Sequence, residues 1–217
     1  MHIYLCRHGE SYINLTWPNE TDPEKINSGL TERGIAQAKA LADWLGNEIP
    51  EVNAVYASTM QRTMETAEFV SKKFRQDVIL DDRLREIGNN YHNHMAIPQK
   101  DLPGGYLDFP LNQKPFSPII DSVENGESLA HFRTRVGIFL EEMIEKHKEE
   151  TILIISHGGL INAFTDLIFN VGFYRRCFLR MDYTAVSHFE YDPDTDREPW
   201  RLHYLGQTTH LALNAIK

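Results

Sequence analysis

The amino-acid sequence predicts an α/β fold: a three-layer α/β/α sandwich around a mostly parallel central sheet, with an inserted lid-like segment at about residues 88–125. Three observations carry this. Short β-branched or apolar runs at His2–Cys6, Ala54–Ala57, Val78–Leu80 and Thr151–Ile155 alternate with longer stretches of helical period, the pattern of a parallel sheet with crossover helices. Two of those runs end in a histidine followed by glycine, at His8-Gly9 and His157-Gly158. Between Gly88 and Asn125, five prolines and the pair Gly104-Gly105 interrupt any periodicity, so regular structure is not expected there.

Each element follows from its local pattern. His2–Cys6 reads as a buried strand, broken by Arg7-His8-Gly9-Glu10. From Thr31 to Leu45, the apolar positions Ile35, Ala38, Leu41, Ala42 and Leu45 have helical spacing, with Thr31 as N-cap and Gly46 as the stop. After the strand Ala54–Ala57, Ser58-Thr59 is expected to cap a helix with Met60, Thr63, Met64, Ala67, Val70 and Phe74 on its apolar face. That places Arg62 in the first turn. Val78–Leu80 is a third short strand, followed by Leu84-Arg85-Glu86.

Glu127–His147 is a long helical pattern with Leu129, Phe132, Val136, Phe139, Leu140, Met143 and Ile144 on one side. Thr151–Ile155 is strongly β-branched and ends at Ser156-His157-Gly158-Gly159, before a helix from Leu160 to about Phe169. Val186–Tyr191 and Trp200–Leu205 read as a hairpin or antiparallel edge, separated by the turn-forming stretch from Asp192 to Pro199. A chain of 217 residues is expected to form a single domain over 1–217. The aromatics Tyr91, Tyr106, Phe109 and Phe116 in the insert suggest a folded lid that closes over a compact organic group.

Composition narrows the partners. The formal net charge of −9 opposes binding to nucleic acid or anionic membranes at long range. The longest aliphatic run, Ile152–Ile155, is far short of the roughly 20 apolar residues a membrane helix needs. Two cysteines, Cys6 and Cys177, fit a reducing compartment, so a cytoplasmic protein is expected. A homodimer is compatible with the sequence.

The chemistry lies at the strand ends. If the two histidine-ending strands are neighbours in a parallel sheet, both imidazoles emerge at its carboxyl edge, where open α/β sheets bind ligands. Arg7 and Arg62 would add donors matched to a tetrahedral oxyanion, and helix N-termini favour the same charge. Phosphoryl transfer through histidine needs a neutral imidazole, cations on the non-bridging oxygens and an acid for the leaving alkoxide.

Six motifs in order resemble those of the histidine phosphatase (phosphoglycerate mutase-like) superfamily. They are Leu5-Cys6-Arg7-His8-Gly9-Glu10-Ser11 with Asn14, Leu30-Thr31-Glu32-Arg33-Gly34, Ala57-Ser58-Thr59-Met60-Gln61-Arg62, Leu84-Arg85-Glu86, Gly126-Glu127-Ser128, and Ser156-His157-Gly158. The resemblance implies that His8 attacks phosphorus while Arg7, Arg62 and His157 hold the phosphoryl oxygens. Glu86 would protonate the leaving group and then activate water, with Asn14, Ser58 and the Gly158 amide as further phosphate or substrate contacts. No cofactor and no metal are required by that scheme.

It further implies a phosphatase acting on a small phosphomonoester. The segment from Leu15 to Gly29 lacks the pattern that the mutases of this superfamily carry there, and Gly88–Asn125 contains no arginine. Glu10 is expected to add negative charge beside the pocket. The alternatives are a phosphoglycerate mutase-type phosphotransferase and a non-catalytic phospholigand-binding regulatory protein. A histidine-ligated metallohydrolase is a third, against which stands the absence of H-E-x-x-H or C-x-x-C spacing.

Overall fold

The structure is a computed structural model that describes residues 1–16, 23–87, 91–92, 95–96, 127, 129–172 and 177–213. In chain order the elements are β1 (His2–Arg7), α1 (Tyr12–Thr16), α2 (Pro23–Ile26), α3 (Glu32–Glu48), β2 (Ala54–Ala57), α4 (Gln61–Phe74) and β3 (Val78–Leu80). A 3₁₀ turn (Asp82–Leu84), β4 (Tyr91–His92), β5 (Met95–Ala96), α5 (Leu129–Lys146) and β6 (Thr151–Ser156) follow. The chain then forms α6 (Gly158–Ile168), β7 (Val186–Tyr191), β8 (Trp200–Gln207) and α7 (Thr209–Leu213).

Six strands form one sheet in the order β3-β2-β6-β1-β7-β8. The first four run parallel, while β7 is antiparallel to both β1 and β8. β6 is apolar on both faces because helices cover both. Ile3, Leu5, Tyr56, Ile152 and Ile154 pack on one side with Phe132 and Phe139 of α5 and Phe164 of α6. Their alternate neighbours Cys6, Val55, Leu153 and Ile155 pack on the other with Leu41 and Leu45 of α3 and Ala67 and Val70 of α4. Each such fully buried aliphatic side chain contributes roughly 1.5–3 kcal/mol. The three-layer sandwich with a mostly parallel sheet is what the alternating pattern predicts.

The two histidine-ending strands are neighbours. β1 and β6 pair in parallel with Arg7 opposite Ser156, so His8 and His157 leave the sheet at the same edge and level. That one register brings together residues 149 positions apart in the chain.

Several boundaries differ from expectation, each for a physical reason. α3 does not stop at Gly46 but runs on to Glu48, with Ile49 as an extended C-cap and Pro50 behind it forbidding continuation. At Gly46 a Cβ would displace only the flexible Lys73 side chain, whose Cε lies 2.3 Å from its position. Ile35, expected on the buried face of α3, is 36% exposed. α4 begins after Met60, which has no side-chain cap. The Thr63 hydroxyl donates to the Ser58 carbonyl at 2.8 Å and ties the first turn down instead.

α6 begins at Gly158, two residues earlier than its apolar pattern. The short helices α1, α2 and α7 carry too few turns to show a period. Within residues 88–125, a two-rung antiparallel ladder pairs Tyr91 with Ala96 and His92 with Met95, where no regular structure was expected. The remainder of the proposed lid lies outside the described residues.

Close backbone contact fixes the loop after β1. A Cβ on Gly34 would lie 1.9 Å from the Glu10 carbonyl oxygen, and one on Gly9 would lie 2.6 Å from the Gly34 carbonyl oxygen. Neither neighbour is a flexible side chain that can yield. Gly137 in α5 is different, because a Cβ there meets only Leu167 Cδ1 at an ordinary 3.7 Å. Urea denaturation is therefore expected to show Gly34→Ala destabilised by about 1–3 kcal/mol or more, and Gly137→Ala stabilised by about 0.5–1 kcal/mol. Equal effects would remove the packing role assigned to Gly34.

Candidate active site

Strand ends and helix starts converge at the carboxyl edge of the sheet. His8 is buried there, its ring centroid 5.2 Å from that of His157 in an edge-on arrangement. His8 Nδ1 lies 2.6 Å from the Gly9 carbonyl oxygen, which can only accept. The ring proton is therefore on Nδ1, and Nε2 presents a lone pair. Arg62 Nε donates to that lone pair at 3.1 Å.

Arg62 also reaches the second imidazole. Its Nη2 lies 3.2 Å from His157 Nδ1, which must accept, so the proton of His157 sits on Nε2 and is donated to Ser58 Oγ at 2.9 Å. Arg62 Nη1 donates to the Ile26 carbonyl at 3.2 Å. Burial, followed by the charges of Arg62 and Arg7, holds the His8 imidazole well below its ordinary pKa of 6.5. Burial and Arg62 do the same for His157. Both rings are neutral at physiological pH. Burial also lowers the Arg62 pKa, to about 10, and the guanidinium stays charged.

Arg7 turns into the same site from the last position of β1. Its Nη1 donates to the Met181 carbonyl at 2.6 Å, and its guanidinium lies over the Tyr183 ring at 4.3 Å. Its buried Nε finds no acceptor among the described residues. Glu86 faces these cations with its carboxylate pinned by two backbone amides, Gly159 N at 3.0 Å and Ile87 N at 3.0 Å. A Cβ on Gly159 would come 2.1 Å from Glu86 Oε1, so any larger residue there would push the carboxylate from its place.

A cavity of about 320 Å³ opens on His8, Arg7, Arg62, Asn14 and Glu86, with Ile13, Ile26, Ile87 and Phe178 forming an apolar rim. All eight residues singled out from the sequence thus lie at or against this edge, in unequal positions. His8, Arg7, Arg62, Glu86 and Asn14 face the cavity. His157 and Ser58 stand behind Arg62 in a relay of hydrogen bonds. Gly158 lines an adjoining chamber with Arg7 and Tyr183, and it is the Gly159 amide, one residue on, that makes the contact to Glu86. Asn14 Oδ1 is occupied by the Ser11 amide and hydroxyl, at 3.0 and 2.8 Å, which leaves its amide nitrogen toward the cavity.

Comparison with known proteins places the chain in a family. The sequence profile of the histidine phosphatase superfamily (branch 1) matches residues 3–204. The chain belongs to that superfamily. It is 28% identical over 216 residues to a putative phosphoserine phosphatase 2 of Hydrogenobacter thermophilus, with 96% of each chain covered. It is 32% identical over 164 residues to a metal-independent phosphoserine phosphatase of Arabidopsis thaliana, covering 74% of this chain and 66% of that one. A phosphoserine phosphatase of Entamoeba histolytica, solved with phosphoserine, has the same fold, with TM-score 0.71 at 21% identity, covering 97% of this chain and 98% of that one. The two curated relatives are named as phosphatases, in agreement with the phosphatase expected from the missing mutase segments.

Two features depart from the sequence reading. Glu10 does not place its charge at the pocket. Its carboxylate accepts from Thr31 Oγ1 at 2.9 Å and pairs with Arg33 Nη1 at 3.0 Å, where it braces the start of α3. The second is Arg135, which sequence reasoning passed over. Buried in α5, it forms a two-pronged pair with Glu127, at 2.5 and 2.8 Å, and donates to the carbonyls of Arg83 at 2.5 Å and Glu86 at 3.3 Å. Arg135 therefore fixes the loop that carries Glu86. Its signal is in the sequence, because a charge at 135 interrupts the apolar stripe of Phe132, Val136 and Phe139.

Two outcomes are expected. Gly159→Ala displaces the Glu86 carboxylate without touching the cations, so kcat for an aryl phosphate should fall by about 10²–10⁴-fold while competitive inhibition by inorganic phosphate stays within a few fold. Parallel loss of both would show that Gly159 shapes the phosphate pocket rather than the acid. The pH dependence of stability follows from the two buried imidazoles. Below the ordinary value of 6.5 the unfolded chain takes up protons that folded His8 and His157 refuse. Denaturant midpoints should therefore fall as pH drops below 6.5, and His157→Gln should flatten that slope.

Proposed function

We propose that this protein is a phosphomonoester hydrolase that works through a phosphohistidine on Nε2 of His8. The observation that carries this is the tautomer: with Nδ1–H held by the Gly9 carbonyl at 2.6 Å, the lone pair of a neutral, buried imidazole points at the arginines. A phosphoryl group entering the cavity takes the place of the Arg62 Nε contact to His8 and gathers donors from Arg62 and Arg7, including the unpartnered Nε of Arg7. Desolvated guanidinium groups bind a dianion far more strongly than exposed ones do.

In the first step the N–P bond forms as the P–O bond to the alcohol breaks, and Glu86, protonated, gives its proton to the departing alkoxide. In the second, water attacks phosphorus, Glu86 takes its proton, the N–P bond breaks and inorganic phosphate is released. The spreading charge on the phosphoryl oxygens is met by Arg7, Arg62 and, through its bond to Arg62, His157. The scheme needs no metal. Asn14 and the Gly158 side of the cavity are the remaining contacts offered to the substrate.

A cavity of about 320 Å³ suits a small molecule, and the relatives that act on phosphoserine make that ester the first to assay. The rim of Ile13, Ile26, Ile87 and Phe178 offers apolar contact to the alcohol part, so aryl and alkyl phosphates are substrates of the same class. A mutase must retain and reorient a second phosphate. No second cluster of buried cations stands beside the first among the described residues, which favours hydrolysis.

His8→Ala is expected to remove chelator-resistant hydrolysis by at least about a thousandfold in a protein that remains folded. Rapid acid quench of the native enzyme with labelled substrate should trap a stoichiometric acid-labile phosphoenzyme. Equal turnover in both proteins would reject His8 as nucleophile. Because the folded His8 pKa lies well below 6.5, kcat/KM should not decline as pH falls through 6.5. A decline centred on the ordinary histidine value would contradict the neutral, desolvated nucleophile.

A further inference from the structure

A second group of histidines lies at the other end of β1. Six residues separate His2 from His8, which along a strand is about 20 Å. His2 on β1, His188 on β7 and His203 on β8 bring their ring nitrogens within 4.8 Å of one another. Among the described residues this is the one place where three side chains of metal-ligating type converge. We propose that His2, His188 and His203 form a binding site for a divalent transition-metal ion of the zinc class.

The backbone explains why three imidazoles meet there. His2 and His188 sit on neighbouring strands and on the same face, two rungs off register, since His2 pairs with Glu190 and Tyr4 pairs with His188. Their nearest nitrogens, His2 Nδ1 and His188 Nε2, are 3.1 Å apart, a separation typical of two nitrogens on one small ion. The third requires an irregularity. In a regular strand His203 and Tyr204 would point to opposite faces, yet both rings lie beside His188, with centroids 4.2 and 5.6 Å away. The β7–β8 ladder shifts register on both sides of His188, and a bulge of this kind re-aims a side chain.

The surroundings suit a metal. Tyr4 stacks on His188 at 4.1 Å and holds its ring in place, while the exposed His203 ring lies face-on to His188, 14° from parallel, and turns about its side-chain torsions to aim its lone pair at an ion held by the other two. Glu190 Oε2 lies 2.7 Å from His203 Nε2, the carboxylate behind an imidazole that commonly orients metal-bound histidine. Arg201 pairs with the same carboxylate and keeps it in place. Two rings with nitrogens 3.1 Å apart share a single proton, because two protonated rings would repel at that distance. An ion that takes both nitrogens moves that proton to the donor ring's other nitrogen, and both histidines bind it as neutral imidazoles. Imidazole nitrogen selects zinc, cobalt, nickel or copper over magnesium or calcium, and three neighbouring strands bring the rings together. The ion would clamp the antiparallel edge to the parallel half of the sheet.

The test uses the full-length protein after dialysis against a chelator, with Co²⁺ as the optical probe. The expected result is a visible d–d band that saturates at one equivalent and is displaced by Zn²⁺. Zn²⁺ at a hundred times its Kd should also raise Tm by roughly 5–10 °C. His203→Ala, at an exposed position that should not disturb folding, is expected to weaken Co²⁺ binding at least tenfold. Glu190→Gln should weaken it by about 10–100-fold, and His8→Ala should leave it unchanged. Absence of the band, indifference to both His203→Ala and His188→Gln, or loss in His8→Ala would each overturn the assignment. The last would place the ion at the catalytic histidines.

Discussion

The structure depends on one unusual placement, a guanidinium buried between two neutral imidazoles. Arg62 is 5% exposed, and its donors go to His8, His157 and the Ile26 carbonyl, not to a carboxylate at ion-pair distance among the described residues. Removing a cation from water without pairing it is costly, so the surrounding fold must hold it there. It does so through Ser58 and His157 behind the guanidinium and through the first turn of α4, which cannot shift because Thr63 is bound to the Ser58 carbonyl. What remains is a positive site from which water's own compensation has been removed. A phosphoryl group supplies what the protein withholds.

Much of the sheet serves to bring that arrangement about. The β1–β6 register puts two histidines at one level, β2 beside β6 delivers Arg62, and the 3₁₀ turn after β3 carries Glu86. None of these residues is close in sequence to more than one other, so the site exists only when the parallel sheet is formed. Glycine is what allows the layers to approach: Gly34 against the Glu10 backbone and Gly159 against the Glu86 carboxylate each occupy positions where a single added carbon would intrude. The buried pair Arg135–Glu127 extends the same logic, since charged groups in an apolar helix face tolerate few positions and so impose one on the loop they hold.

The legible parts of this molecule were those written in local pattern. The strand–glycine junctions at His8 and His157 announced themselves because a β-branched run that ends in a small flexible residue has few other uses, and Arg62 followed from the helical period of α4. Residues whose role comes from distant packing left fainter marks. Gly46 has the look of a helix stop because that is where glycine usually sits, yet α3 continues through it to Glu48 and ends before Pro50. Glu10, two residues after His8, suggests a charge at the pocket, but the chain has left β1 by then and the carboxylate turns to Thr31 and Arg33 at the start of α3. Gly159 rather than Gly158 meets Glu86 because the helix begins there, a difference of one peptide that no periodicity resolves. The lid proposed for residues 88–125 rests on composition alone.

The balance of charge argues for turnover rather than retention. The chain as a whole is at −9, while its cavity gathers Arg7 and Arg62 behind an apolar rim, so the attraction for a dianion is short in range and acts only once the phosphate has lost water. The alcohol left outside finds Ile13, Ile26, Ile87 and Phe178, which hold apolar surface but offer nothing to a second phosphate. After the first step that alcohol has lost its phosphate and with it the hold of Arg7 and Arg62, and only Asn14 and the apolar rim remain beside it. Water then has access to the same cavity, where the Glu86 carboxylate remains beside His8. An enzyme built to return the phosphoryl group to the same alcohol would need to hold that alcohol tightly at this moment, and the described residues around His8 are arranged to let it go.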